Sequence, residues 1–469
     1  MALLTFKGTT AEALAAIGTQ IDGLTKVTIT DNTYTVADLV TINGTASSVV
    51  LLKAAGIALS GDVADVIVAL DGIKYTGAIT LTDATVSAAD LNTVAKSTTG
   101  KVTATLDPAT TIDATTIAAL KDVKTTDSIT LVSSVTTVSN SDLTALVALK
   151  KLIPSADFSA VTNLEATLYE ISALKSALNV AKTAAVEVTG TISAADVNAI
   201  AKATTGAVTA TVKEGSVSAT LKALADVKNT DVITFTTTDK TVNARELVAL
   251  DAKVANFTAA SVQTITENST TLGTNAKNVT DALLIADVDV KITGTISATT
   301  ADIIATAATT GVVTATIAAG TASNLFAALT NASATDALTL TVTDKTVAAA
   351  DLIALDGKTS VAVNASSVTE VTGDVADITT LYAANAAKTV SGLGNENILV
   401  TAASITATEA NDIAKLTTGK VTATVGADTA DVLLATLTDA KATDALTLQV
   451  SAGTATAADL KALDGKTSV

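Results

Sequence analysis

The 469-residue chain has no cysteine, no histidine and no tryptophan, only two prolines, and aromatic residues at 2% of its length. Each absence removes a class of answer. Without cysteine there is no disulfide framework, and oxidising surroundings are tolerated. Without cysteine or histidine the common nucleophilic triads and most zinc sites are excluded. No apolar run approaches the roughly 20 residues that span a bilayer. The opening Met1-Ala-Leu-Leu-Thr-Phe-Lys-Gly8 reads as one more strand unit, not a secretory signal, so export would use a signal elsewhere or in flanking sequence. Positive charge is also scarce: 29 Lys and Arg against 46 Asp and Glu leave a net charge of −17. That is the wrong sign for nucleic acid, whose phosphates are neutralised by Lys and Arg, and it favours solubility and self-repulsion.

What is present in abundance is repetition. Asp356-Gly-Lys-Thr-Ser-Val361 recurs, letter for letter, as Asp464 to Val469. Gly100, Gly206, Gly311 and Gly419 each follow a Thr-Thr pair and precede an alternating run, Lys101-Val-Thr-Ala-Thr105 and its counterparts at 207–211, 312–316 and 420–424. Alternation of apolar and Thr residues predicts a half-buried strand. Before each Gly lies a helical pattern with a cap: Ser87 with Asp90, Ser193 with Asp196, Thr406 with Glu409. Ser297 with Thr300 departs from the capping box, which predicts a weaker cap in that copy. The Gly after each helix suits a left-handed C′ position.

Three further strand classes recur. The second is Ser128–Val132, Val232–Thr236, Leu338–Thr341 and Leu446–Gln449. The third is Ala255–Thr258 and Ser360–Asn364. The fourth is Ala78–Thr82, Ala185–Val188, Val288–Ile292 and Ile398–Thr401. Strand starts spread from residue 3 to residue 446 give a mean step of about 26 residues, one strand and one short helix. Four steps make a super-repeat of roughly 104–108 residues. Longer steps between the third and fourth classes hold an extra helix such as Asp374–Ala383, or a loop such as Gly392-Leu-Gly-Asn-Glu396. Thr241-Val242 and Thr346-Val347 could add a second narrow strand per step.

Strands joined through helices must run parallel, with right-handed crossovers. A sheet covered on both faces would read as continuous Val, Ile and Leu; these strands alternate. The expectation is therefore a one-start α/β solenoid, parallel strands with helices on one face and water on the other, about 26 residues per rung. It would form one domain over 1–469, with super-repeat copies near 1–77 (partial), 78–184, 185–287, 288–397 and 398–469 (partial). Helix spacing exceeds strand spacing, which predicts curvature or twist. The leucine-rich consensus L-x-x-L-x-L-x-x-N is absent.

No residue is assigned a catalytic, cofactor-binding or metal-binding role, and no enzyme is expected. Most acids recur at fixed positions: Asp90, Asp142, Asp196, Glu246, Asp351 and Asp459 at helix starts, Asp127, Asp231, Asp336 and Asp444 before strands. Capping and turn chemistry accounts for them. Gly357-Lys358-Thr359 resembles the end of a phosphate loop, but the Gly that motif requires earlier is Leu352, and Leu460 fails likewise before Gly465-Lys466-Thr467. The calcium nonapeptide G-G-x-G-x-D and the EF-hand spacing are absent; loose calcium binding by Asp residues of neighbouring rungs stays open. An enzyme would need an acid pair off the period, with Glu165 and Glu170 as the acids to test. Thr pairs (Thr80/Thr82, Thr103/Thr105, Thr209/Thr211, Thr234/Thr236, Thr314/Thr316, Thr339/Thr341, Thr422/Thr424) mark an exposed face, interrupted by Glu187, Asp289, Lys291, Ala362 and Leu399. Such ladders occur on ice-binding solenoids, but Thr is also simply a good exposed strand residue.

The combination Ala-Ala-Asp-Leu, Leu-Asp-Gly-Lys-Thr-Ser-Val, Thr-Thr-Gly-Lys-Val-Thr-Ala-Thr and Gly-Leu-Gly-Asn-Glu resembles the repeat arrays of very large bacterial surface proteins. The closest in kind are those of marine cyanobacteria and other giant adhesin-like or surface-layer-like proteins. The resemblance covers nearly the whole chain and implies an extracellular, structural or adhesive role; it carries over no site residues. The resulting expectation is a rod or filament segment at the bacterial cell surface: a surface layer, matrix fibre or adhesin stalk. It would associate end to end or lie within a longer chain, since both ends read as mid-array. Direct in-register stacking would skip a rung. The alternative is a binding module gripping polysaccharide or protein with its Thr-rich sheet face; ice binding ranks below both.

Overall fold

The computed structural model describes every residue except 1–3, 54–56 and 452–454, so Leu3, where the first strand was expected, lies outside the described residues. Strands and helices alternate along the chain. The first α-helix among the described residues starts at Thr10 and the last at Ala457. Their mean step is about 26 residues, the size of one repeat turn. Every strand pair among the described residues is parallel. The fold is α/β, with several all-parallel sheets, none of them closed.

Chain contacts divide the molecule into two compact units. The first comprises Met1–Glu214, Ala219–Thr236 and Ala252–Phe257; the second comprises Gly215–Ser218, Thr237–Asp251 and Thr258–Val469. Three sheets belong to the first unit. One joins Leu4–Gly8, Thr25–Ile29 and Ser48–Leu51; another joins Leu59–Gly61, Ile79–Leu81, Val102–Thr105 and Ser128–Thr130. The third joins Thr137–Ser139, Asn163–Thr167, Ala185–Ile192, Val208–Val212, Val232–Thr236 and Asn256–Thr258. The second unit holds a sheet of Thr241–Asn243, Thr264–Asn268, Asp289–Ile296, Val313–Ile317 and Ala337–Thr339. It also holds a sheet of Thr346–Ala348, Glu370–Gly373, Asn397–Val400, Val421–Asp428 and Ala445–Val450, and a two-strand ladder of Val363–Asn364 with Val390–Ser391.

The local reasons are plain in one repeat. In Val208–Val212 the residues Val208, Ala210 and Val212 are buried while Thr209 and Thr211 face solvent. In the preceding helix, Ala194–Ala203, Val197, Ile200 and Ala201 form the buried stripe, and Ser193 caps the Asp196 amide. Helices of 6 to 13 residues are too short to stand alone in water; burial of their apolar stripe, about 1.5–3 kcal/mol per Leu, Ile or Val side chain, holds them.

Three expectations need correction. The repeat glycines are not left-handed: none of Gly100, Gly206, Gly311 and Gly419 has positive φ. A Cβ on them would lie 2.1–2.3 Å from the carbonyl oxygen of Gly77, Ala184, Val288 and Glu396 respectively. Gly is needed there because the previous turn's backbone passes too close for any side chain. Second, the strands do not make one unbroken sheet. In the first unit one segment supplies the last strand of a sheet (Ser128–Thr130) and the first of the next (Thr137–Ser139); in the second unit Ala337–Thr339 and Thr346–Ala348 do the same. Third, the long steps contain strands as well as helices: Asn163–Thr167, Thr264–Asn268 and Glu370–Gly373 precede the helices Ile171–Ala177, Lys277–Ile285 and Val375–Ala387. In the third copy Ser297 Oγ accepts the Thr300 amide at 3.1 Å, as Ser87 and Ser193 accept theirs, but it pairs with the neutral Thr300 hydroxyl where they donate to the Asp90 and Asp196 carboxylates. The narrow strands at Thr241 and Thr346 are present.

Candidate functional site

Of the acids before strands, Asp231, Asp336 and Asp444 are at most 5% exposed, and Asp127 is half-buried. Each carboxylate joins two turns. Asp231 Oδ1 accepts the amide of Val208, in the turn before, at 2.8 Å, and Oδ2 accepts the local Lys228 amide at 2.8 Å. Asp127 binds Val102 and Lys124 in the same way, Asp336 binds Val313 and Ser333, and Asp444 binds Val421 and Lys441. The Lys shortly before the Asp reaches back as well: Lys124, Lys228 and Lys441 donate to the carbonyls of Thr98, Thr204 and Thr417 at 2.6–2.9 Å. Another set of acids caps the helix of the preceding turn. Asp31, Asp83, Asp239 and Asp344 accept the first-turn amides of Thr10, Val63, Val217 and Ala322.

A third device links helices to the turn that follows the next helix. Asn92 pairs reciprocally with Asp122, Asn198 with Asp226, and Asn411 with Asp439, each amide donating to the carboxylate while its oxygen accepts the Asp backbone amide at 2.6–2.7 Å. In the third copy the partners are exchanged: Asp302 sits on the helix and Asn331 on the turn, with the same two contacts at 2.6 and 3.0 Å.

The helix-start acids lie in first turns as expected. Asp196 is held below the usual aspartate range by its hydrogen bond from Lys175, with Ser193 adding to it. The phosphate-loop look-alikes are also committed: Lys358 and Lys466 donate to the Thr330 and Thr438 carbonyls, and Thr359 and Thr467 to those of Leu338 and Leu446.

The off-period acids differ. Glu165 and Glu187 are register neighbours on the exposed face. Glu170 instead closes its own turn, accepting the Thr167 amide at 2.9 Å and the Thr167 hydroxyl. Glu165 and Glu170 therefore do not form a pair. Two buried acids carried no signal in the sequence beyond being off-period. Glu267, whose side chain is fully covered, accepts from Thr271 (2.7 Å), from the Asn268 amide (2.9 Å) and from Arg245 Nε (3.2 Å). Burial pushes its carboxyl up, but these bonds, with Asn243 and the Arg245 charge, hold it below the ordinary glutamate value. Arg245 is the only arginine in the chain. Glu396 accepts from Tyr382 and from the amides of Gly394 and Asn395 at 2.8 and 3.0 Å, which ties the Gly392–Glu396 loop to the helix Val375–Ala387.

Threonine rows do form across strands, Thr191–Thr211–Thr234 in the first unit and Thr295–Thr316–Thr339 in the second. Each follows a bulge where Gly190 (φ +95°) or Gly294 (φ +87°) shifts the register. Among the described residues no three of Asp, Glu, His and Cys gather as a metal site, and no helix is long and apolar enough to cross a membrane. No family model matches the chain, and no curated protein sequence matches it.

Proposed function

We propose that the chain is a structural repeat segment: a one-start α/β solenoid, helices on one face of its sheets, serving as a rod or filament segment at or outside the bacterial cell surface. The observation that carries this reading is the use of the polar side chains. Periodic Asp, Asn, Lys and Thr residues are committed to bonds with backbone one turn away along the chain, and these bonds fasten each turn to its neighbour. Contacts restricted to successive turns give a molecule whose length is set by repeat number. Placement outside the cell rests on the resemblance of its repeats to those of giant surface proteins. End-to-end association of such segments is part of the same reading.

Electron microscopy of the purified chain tests it. Uniform narrow rods, single or joined end to end, are expected; compact globules separated by linkers would overturn it. The second reading, a binding module for polysaccharide or protein on the sheet face, is favoured by the in-register Thr rows. Ice binding is disfavoured by the bulges at Gly190 and Gly294, which interrupt any regular lattice of hydroxyls.

A further inference from the structure

One tyrosine stands apart from the rest. Tyr34, Tyr75 and Tyr382 are at most 5% exposed, whereas Tyr169 is 86% exposed. Tyr169 lies off the period: the corresponding strand Glu370–Gly373 runs directly into its helix through Asp374, with no inserted pair like Leu168-Tyr169. The backbone turn that carries the ring is closed by its own hydrogen bonds. Glu170 accepts the Thr167 amide, Thr167 O accepts the Glu170 amide at 3.1 Å, and Thr167 Oγ1 accepts the Tyr169 amide at 3.3 Å. Leu168 is packed over the bulge at Gly190, where a Cβ would come within 3.0 Å of it.

Beside the ring runs an open groove of about 430 Å³ between the helices Asp142–Leu152 and Ile171–Ala177, lined by Val147, Ala173, Thr144, Ser172 and Ser176. Its wall alternates apolar surface with hydroxyls. Thr144 and Ser176 donate their protons to the carbonyls of Ser141 and Ser172, which leaves their lone pairs to accept.

We propose that Tyr169 and this groove bind a neutral sugar ring. A pyranose has an apolar C–H face that stacks on a preorganised aromatic ring and an equatorial rim of hydroxyls that suits Ser and Thr. Few convergent polar groups beside an aromatic wall are the usual make-up of a small-ligand site. Glu170 bordering the groove and the net charge of −17 oppose an anionic ligand, and the apolar and hydroxyl lining offers no charge to pair with a charged sugar. This site is on the helix side of the strand Asn163–Thr167, separate from the Thr rows, and it stands whether or not the chain forms a rod.

The test is titration of the full chain with neutral cello-, xylo- and N-acetylchito-oligosaccharides, with oligogalacturonate as the anionic control. Isothermal titration calorimetry reads the parent and the variants alike, because both substitutions remove the one well-exposed Tyr that could report by fluorescence. At least one neutral oligomer is expected to saturate with Kd on the order of 1 mM, and Tyr169→Ala to weaken it about tenfold or more. Tyr169→Phe keeps the stacking face and should stay within about twofold. Circular dichroism should show all variants folded, the turn being held by Thr167 and Glu170. The proposal is overturned if no neutral oligomer binds up to tens of millimolar, if Tyr169→Ala binds as the parent does, or if the ring instead drives a Tyr169-dependent dimer.

Discussion

Asp231 and Glu267 are both buried carboxylates, 3% and 2% exposed, and they are satisfied in opposite ways. Asp231 takes two backbone amides, one from its own turn and one from the turn before. Its contacts are geometric consequences of a repeat, so Asp127, Asp336 and Asp444 reproduce them. Glu267 takes one amide of its own turn, from Asn268, and side chains that occur together once: Arg245, Asn243 and Thr271. The aligned partner positions in the other copies hold different residues, Ala166 or Gly373 in place of Glu267 and Ser139 or Ala348 in place of Asn243. A repeat can thus absorb a buried charge by rule or by local invention, and only the first kind is informative about architecture.

The comparison breaks most violently around Asp231. Gly206→Ala would set a Cβ 2.3 Å from the Ala184 carbonyl oxygen, among backbone atoms that cannot give way, and should cost about 3 kcal/mol or more. Gly44→Ala, in the helix Val36–Thr45 with nothing within 4 Å, should instead gain about 0.5–1 kcal/mol. Equal effects of the two on denaturant midpoint would refute the close-approach account of the repeat glycines. Asp231→Ala strands the buried Val208 amide and the half-buried Lys228 amide and should cost about 2–4 kcal/mol. Because turns unfold locally, hydrogen exchange at the Val208 and Lys228 amides is the sharper readout: both should accelerate, while amides bonded to Asp444 stay protected.

For Glu267 the test is pH. Its carboxyl titrates lower in the folded chain than in the unfolded one, so the stability it contributes is complete above the ordinary glutamate value of about 4.3 and drains away as pH falls through the folded value. Glu267→Gln should be less stable than the parent at neutral pH by about 1–3 kcal/mol, and the gap between them should close on acidification below pH ~4. A constant gap at every pH would mean that Glu267 contributes only shape.

The same contrast explains what sequence alone could reveal. The regular step of one strand and one short helix, the parallel strands, the alternation of buried Val and Ala with exposed Thr, and the helix caps at Ser87, Ser193 and Thr406 all follow from local pattern, and all are present. The role of Gly206 was not legible. A Gly after a helix reads equally well as a left-handed cap or as a close approach, and only the position of Ala184, one turn earlier, decides. Nor were the strands at Asn163, Thr264 and Glu370 separable from loop, since so short a polar-rich segment carries too little period. The groove beside Tyr169 depends on two helices meeting; from sequence the ring was one Tyr among four.

The finest test uses the exchange already present in the third copy. Asn198→Asp would face Asp226 with a second carboxylate and remove the amide that now donates at 2.9 Å; the cost expected at this exposed site is about 1 kcal/mol. Asp226→Asn alone should cost less, because the turn amide still finds Asn198 Oδ1 at 2.6 Å. The double variant recreates the Asp302–Asn331 arrangement and should recover most of the loss, leaving a coupling of about 0.5–1 kcal/mol in a double-mutant cycle. Additive losses would show that the two copies solve the contact with different surroundings and not by a simple trade of partners.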